Sequence, residues 1–167
     1  VAISNLTPAQ IPPGEILTYY GDLASGAIRP EDVRIEDLTF RGIINAQGQV
    51  VFQTSKITVI SRYTLAVRRV YVSMFNVELD GGSSSLVRFN IREQGRGFDV
   101  FKQPVSIAAC LYRGPYEWDG VYMCIPGTDL EVNFTVDTTL WQSLVGATRI
   151  FDVVVSGDYI ACGPTQR

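Results

Sequence analysis

From Arg62 to Asp80 the chain reads RYTLAVRRVYVSMFNVELD, a mostly regular alternation of polar and apolar residues, rich in β-branched and aromatic side chains. Successive side chains of an extended strand point to opposite faces, so a period of two commits this stretch to β structure, as one bent strand or two adjoining ones. Tyr63, Leu65 and Val67 share one face, while Arg62, Thr64 and Arg68 share the other. Val70, Tyr71, Val72, Met74 and Phe75 then make both faces apolar, and Phe75, Val77 and Leu79 resume the first pattern. The expectation is a half-buried strand that passes through a more enclosed region.

The same grammar recurs in Leu86 to Arg92, Val105 to Tyr112, Leu130 to Val136 and Ile150 to Val155, each bounded by Gly, Pro, Asp or Ser. Phe40 to Ile44 and Gln49 to Phe52 flank Asn45-Ala46-Gln47-Gly48, a hairpin turn in which Gly48 can take a positive φ. Shorter strands are expected at Ile57 to Ile60, Phe98 to Phe101 and Tyr159 to Cys162, with Ser156-Gly157-Asp158 as the turn before the last. Asp80 to Ser85 reads as a solvated polar connection, and Thr138 to Leu144 as a short helix or folded crossover. These segments predict an all-β chain, an antiparallel eight-stranded β-sandwich. Alternation places Leu65, Val67, Phe75, Val77, Val87, Phe89, Ile91, Ile107, Leu111, Val132, Phe134, Phe151 and Val153 in its core.

A length of 167 residues suits one domain. The opening residues 1–14 contain Pro8, Pro12 and Pro13 and read as an extended arm, which leaves 15–167 as the domain. A short helix is expected to begin at Arg29-Pro30-Glu31-Asp32, whereas Val33, Ile35 and Leu38 beyond it do not decide between helix and strand. Charged residues make up only 19% of the chain, below the usual value of about 25%, and such a surface suits packing against other copies. The net charge of −3 argues against direct sequence-specific nucleic-acid binding. With no apolar run long enough to span a bilayer, any membrane is expected to be met from outside its hydrocarbon.

The chain has no histidine and three cysteines, Cys110, Cys124 and Cys162, without a CxxC element. A zinc finger, a histidine-based metal site and a Cys-His nucleophilic pair are therefore excluded within the chain. Cys110 sits in an apolar run and reads as a buried, inert thiol, while a disulfide between Cys124 and Cys162 stays open. Gly95-Arg96-Gly97 lacks the lysine of a phosphate loop and the third glycine of a dinucleotide fingerprint. No catalytic, cofactor-binding or metal-binding residue is expected, and the chain is not read as an enzyme. The candidate interface residues are Ile11, Pro12 and Pro13 of the arm, with Tyr116, Trp118 and Tyr122 around Gly114-Pro115. Such rings bury large apolar area at a partner surface, or they form a platform on which a glycan stacks.

The run Leu86-Val87-Arg88-Phe89-Asn90-Ile91-Arg92-Glu93, the polar turn before Phe98, Pro104-Val105-Ser106-Ile107 and the stretch from Phe151 to Tyr159 together resemble one group of viral proteins. These are the small major capsid proteins of tailless, icosahedral, thermophilic bacteriophages with an internal membrane, and the resemblance covers roughly residues 40–162. It implies a single jelly roll of two facing four-stranded sheets, and a structural role in the shell of the virion. It further implies a homodimer that packs with a second capsid protein of the same virion, in peripheral contact with the viral membrane. The alternative is a carbohydrate- or receptor-binding jelly-roll module that uses the Tyr116 to Tyr122 region.

Overall fold

The computed structural model describes residues 16–17 and 33–161 and consists of antiparallel sheets packed as a sandwich. The strands are β1 (Ile16–Leu17), β2 (Val33–Ile44), β3 (Val50–Gln53), β4 (Ile57–Thr58), β5 (Tyr63–Met74), β6 (Val87–Glu93), β7 (Phe98–Asp99), β8 (Val105–Ser106), β9 (Tyr116–Cys124), β10 (Asp129–Val136) and β11 (Arg149–Ala161). Three short helices complete the described chain: α1 (Ser83–Leu86), α2 (Ile107–Arg113) and α3 (Thr138–Leu144). The first sheet runs β1-β9-β5-β11-β2-β3, and the second runs β4-β10-β6-β7, with β8 also paired to β6. The described residues hold eleven strands against the expected eight; among them β1 is a bridge of two residues, too short for a periodicity to announce it.

The strand pairs nest from the ends of the domain inward. β2 pairs with β11, β4 with β10, β5 with β9 and β6 with β7, all antiparallel. Every connection from β3 to β6, and again from β8 to β11, passes from one sheet to the other. Val87, Phe89 and Ile91 of β6 lie inside, opposite Val136, Phe134 and Val132 of β10. From the first sheet they meet Leu65, Val67, Val70, Phe151 and Val153, also buried. Of the expected core, Leu111 and Phe134 are half-buried. The Phe134 ring covers Gly42 so closely that a Cβ there would sit 2.7 Å from it.

The long strand is β5, and it ends at Met74 rather than running on to Leu79. Asn76 takes a left-handed conformation (φ 56°), and a 3-10 turn follows over Val77–Leu79. Phe75 and Val77 are 67% and 41% exposed, so both leave the expected core. Within β5, Leu65 and Val67 are buried at odd positions but Val70, Val72 and Met74 at even ones. Arg68 is the extra residue that changes the parity, since Val67 pairs with Gly157 and Arg69 with Ser156. The bulge moves the core face from odd to even positions, so that Tyr71, in the stretch expected to be apolar on both faces, lies on the outer face with Arg69 and Ser73.

The same bulge removes the expected turn at Ser156-Gly157-Asp158, because β11 passes straight through these residues. Val105 to Tyr112 is also corrected: after β8 the chain turns into α2. Ile107 and Leu111 share a face at a period of two and also at i,i+4 of a helix, so their spacing fits both structures. Buried Cys110, which a strand would turn away from Ile107, belongs to the helical face. Asn45 to Gly48 forms the expected turn, with Gly48 at φ 80° and its N–H donating to the Asn45 carbonyl. Thr138–Leu144 is the expected helix, and Val33 to Leu38 resolve as strand. The arm, the start at Arg29 to Asp32 and Cys162 lie outside the described residues.

Candidate interaction surface

One end of the sandwich gathers the 3-10 turn, α1, α3 and the β2–β3 hairpin. Its scaffold is polar and internal. Asp80 accepts hydrogen bonds from the Ser83 hydroxyl, the Ser84 hydroxyl (2.7 Å), the Ser84 N–H (2.8 Å) and the Tyr112 hydroxyl (2.6 Å). Ser83 and Ser84 are fully buried, so the Asp80 to Ser85 connection is a tied knot rather than the solvated linker expected from its composition. Burial by itself would push the Asp80 carboxyl up, but the bonds from Ser83, Tyr112 and Ser84 outweigh it and hold the carboxyl below its ordinary value.

Helix α3 is fixed at both ends of its inner face. Asp137 accepts from the Leu140 N–H at 3.1 Å as its N-cap, and the buried Trp141 indole donates to the Asn45 carbonyl at 2.9 Å. With Trp141 turned inward, Leu140 and Leu144 lie one turn apart along one side of it and are exposed. The Arg149 guanidinium donates to the Leu79 carbonyl, and the Phe75 N–H donates to the Ile150 carbonyl, which ties the 3-10 turn to the base of β11. The result is a braced end that presents Phe75, Val77, Leu79, Leu140 and Leu144 to solvent. Apolar side chains held on fixed elements are what an interface needs, because little side-chain ordering remains to be done on binding.

The sequence-predicted aromatic group does not stay together on the surface. Tyr122 is buried between the sheets, where its hydroxyl donates to Glu93 at 2.9 Å. Burial, then the charge of Glu93, pushes the phenol far above its ordinary value. Glu93 is itself fully buried, accepts from the Ile125 N–H at 3.1 Å and lies 3.6 Å from the Arg96 guanidinium. This polar bridge joins β6 to β9 across the sandwich. Cys124 beside it carries a free thiol, held protonated by burial and by Glu93. Tyr116 is 40% exposed and packs edge-on against Phe101, with ring centroids 4.8 Å apart. Ile11, Pro12, Pro13 and the Trp118 side chain lie outside the described residues.

Three carboxylates along β10 and at its end, Asp129, Glu131 and Asp137, are occupied separately. Asp129 binds Lys56 at 2.6 Å and accepts from Thr58, Glu131 accepts from Gln94, and Asp137 caps α3. Among the described residues, no helix is long and apolar enough to cross a membrane. Of the braced apolar end, Phe75, Val77 and Leu79 read as strand in the sequence, and Leu140 and Leu144 fall in the short helix or crossover expected over Thr138 to Leu144, beside Trp141, which reads as a core or interface anchor. Asn76, a residue that tolerates left-handed backbone, was the available signal that β5 stops. No protein-family model matches the chain, and the curated proteins contain no match to it.

Proposed function

We propose that this chain is a structural subunit of a viral capsid, built on a single jelly roll. The nested pairing of β2 with β11, β4 with β10, β5 with β9 and β6 with β7 is the observation that carries the reading. A ribbon of antiparallel strand pairs wrapped around a core has this order, with β2-β11-β5-β9 in one sheet against β4-β10-β6-β7 in the other. On this reading eight strands form the jelly roll, and β1, β3 and β8 are additions.

The shell role is supported by the sequence resemblance, by the low charge fraction and by the braced apolar end. A subunit of this kind self-associates, packs with a second capsid protein and meets an internal membrane only at its periphery. The carbohydrate-binding alternative draws on the rings of Tyr116, Trp118 and Tyr122, and the burial of Tyr122 takes one ring from that platform. Immunogold labelling of purified virus particles with an antibody to this chain tests the proposal. Regular decoration of the shell is expected; unlabelled intact particles, with the chain recovered only in the soluble fraction as a glycan binder, would reverse the two readings.

A further inference from the structure

We infer that the open edge of β2 pairs antiparallel with the same edge of a second copy, about a two-fold axis at Ile35. Strand β3 covers β2 only near its C-terminal end, where Gly42, Ile43 and Ile44 have partners. At the boundary the Arg41 carbonyl accepts from the Thr54 N–H, and the Arg41 N–H donates to the Thr54 hydroxyl. Arg41 therefore turns its backbone groups away from β11. Because backbone direction repeats every two residues and β2 keeps an unbroken register with β11, Thr39, Asp37 and Ile35 do the same. Among the described residues, no strand pairs with β2 on that side from Val33 to Thr39.

The side chains choose the partner and the register. Ile35 is 71% exposed, an unusual side chain to leave on the edge of a sheet. Arg34 and Glu36 flank it on the other face of the strand and already contact each other at 3.3 Å. In an antiparallel pair centred on Ile35, the two Ile35 backbones exchange hydrogen bonds, and each Arg34 lies directly opposite the Glu36 of the second copy. Those two positions form non-hydrogen-bonded pairs, where opposing side chains come closest and opposite charges attract. Centring the axis on Arg34, Glu36 or Asp37 would instead set like charges against each other. Moving it to Leu38 or beyond would drive the second copy into Arg41 and β3. Among the registers centred from Arg34 onward, the edge is thus self-complementary in one, as a two-fold interface requires.

This inference deepens the self-association part of the proposed function and does not depend on the capsid assignment. Sedimentation equilibrium of the full chain over a concentration series is expected to give a dimer. Arg34→Glu and Glu36→Arg should each weaken it about tenfold or more, since each turns two cross-strand attractions into repulsions. The double variant Arg34→Glu with Glu36→Arg should restore it. Ile35→Pro removes a donor that points away from β11, so it should abolish the dimer while the urea midpoint of the monomer stays close to that of the original chain. A dimer indifferent to all four variants would overturn the β2 interface and leave the capsid reading standing. A chain that stays monomeric at high micromolar concentration would overturn the self-association itself, and immunogold labelling would then judge the capsid reading alone.

Discussion

Gly157 has no Cβ, and the bulge in β5 needs that absence. A methyl group built there would lie 2.5 Å from the Ala66 carbonyl oxygen and 3.0 Å from the Val67 Cα. Both obstacles are backbone held in the pairing with β11, so neither can move aside cheaply. Gly157→Ala should therefore destabilise the domain by about 1–3 kcal/mol, the usual cost of overpacking. Its urea midpoint is the measurement, and a midpoint equal to that of the original chain would mean that the two strands separate freely at the bulge. Phe89 poses the opposite problem. Its ring is fully enclosed and meets Phe101 edge-on at 6.0 Å. Phe89→Ala should cost about 3–5 kcal/mol through lost transfer energy and a residual cavity. The unfolding slope should stay constant while the midpoint falls; a small midpoint change would remove Phe89 from the list of core anchors.

Among the elements, α1 depends most on a single ionised group. Its two buried serines and Tyr112 of α2 converge on Asp80, whose carboxyl is held below its ordinary value. A depressed folded value means that the unfolded chain takes up the proton first. The stabilisation is therefore complete above about pH 4 and is lost as pH falls through the lower folded value. Asp80→Asn should be less stable than the original chain at neutral pH, and the gap between them should narrow as the pH is lowered. Urea titrations at several pH values measure this, and a constant gap would show that the charge of Asp80 contributes nothing. The long strands β6 and β10 and the hairpin at Asn45 to Gly48 were legible in the sequence, because each carries an unbroken period of two or a glycine where a turn needs one. Helix α2 was not, since Ile107 and Leu111 satisfy both periods. Nor was the continuity of β11, since Ser-Gly-Asp reads as a turn unless the bulge on the neighbouring strand is known. Tyr122 looked like a surface ring because Glu93, its buried partner, lies 29 positions away in the chain.

For the molecule as a whole, the pairing order lies furthest from anything a local pattern can reveal. Arg41 and Asp152 form a bidentate pair at 2.8 Å across β2 and β11, although 111 positions separate them. That nesting brings the 3-10 turn, α1 and α3 to one end and leaves Phe75 and Leu144 there at 67% and 64% exposure. Neither side chain supports the core, so replacing both, Phe75→Ser with Leu144→Ser, should change stability by no more than about 0.5 kcal/mol per site. If the end is an assembly surface, the same variant should enter particles poorly, because exposed apolar anchors contribute most of their free energy only once a partner excludes water from them. Gradient fractionation of particles formed in the presence of the second capsid protein, with this chain quantified in the particle fraction, separates the two effects. A variant with unaltered urea unfolding that is depleted from particles assigns the end to assembly. Incorporation equal to that of the original chain would strip the apolar end of that role and leave the β2 edge as the remaining contact argued from the structure.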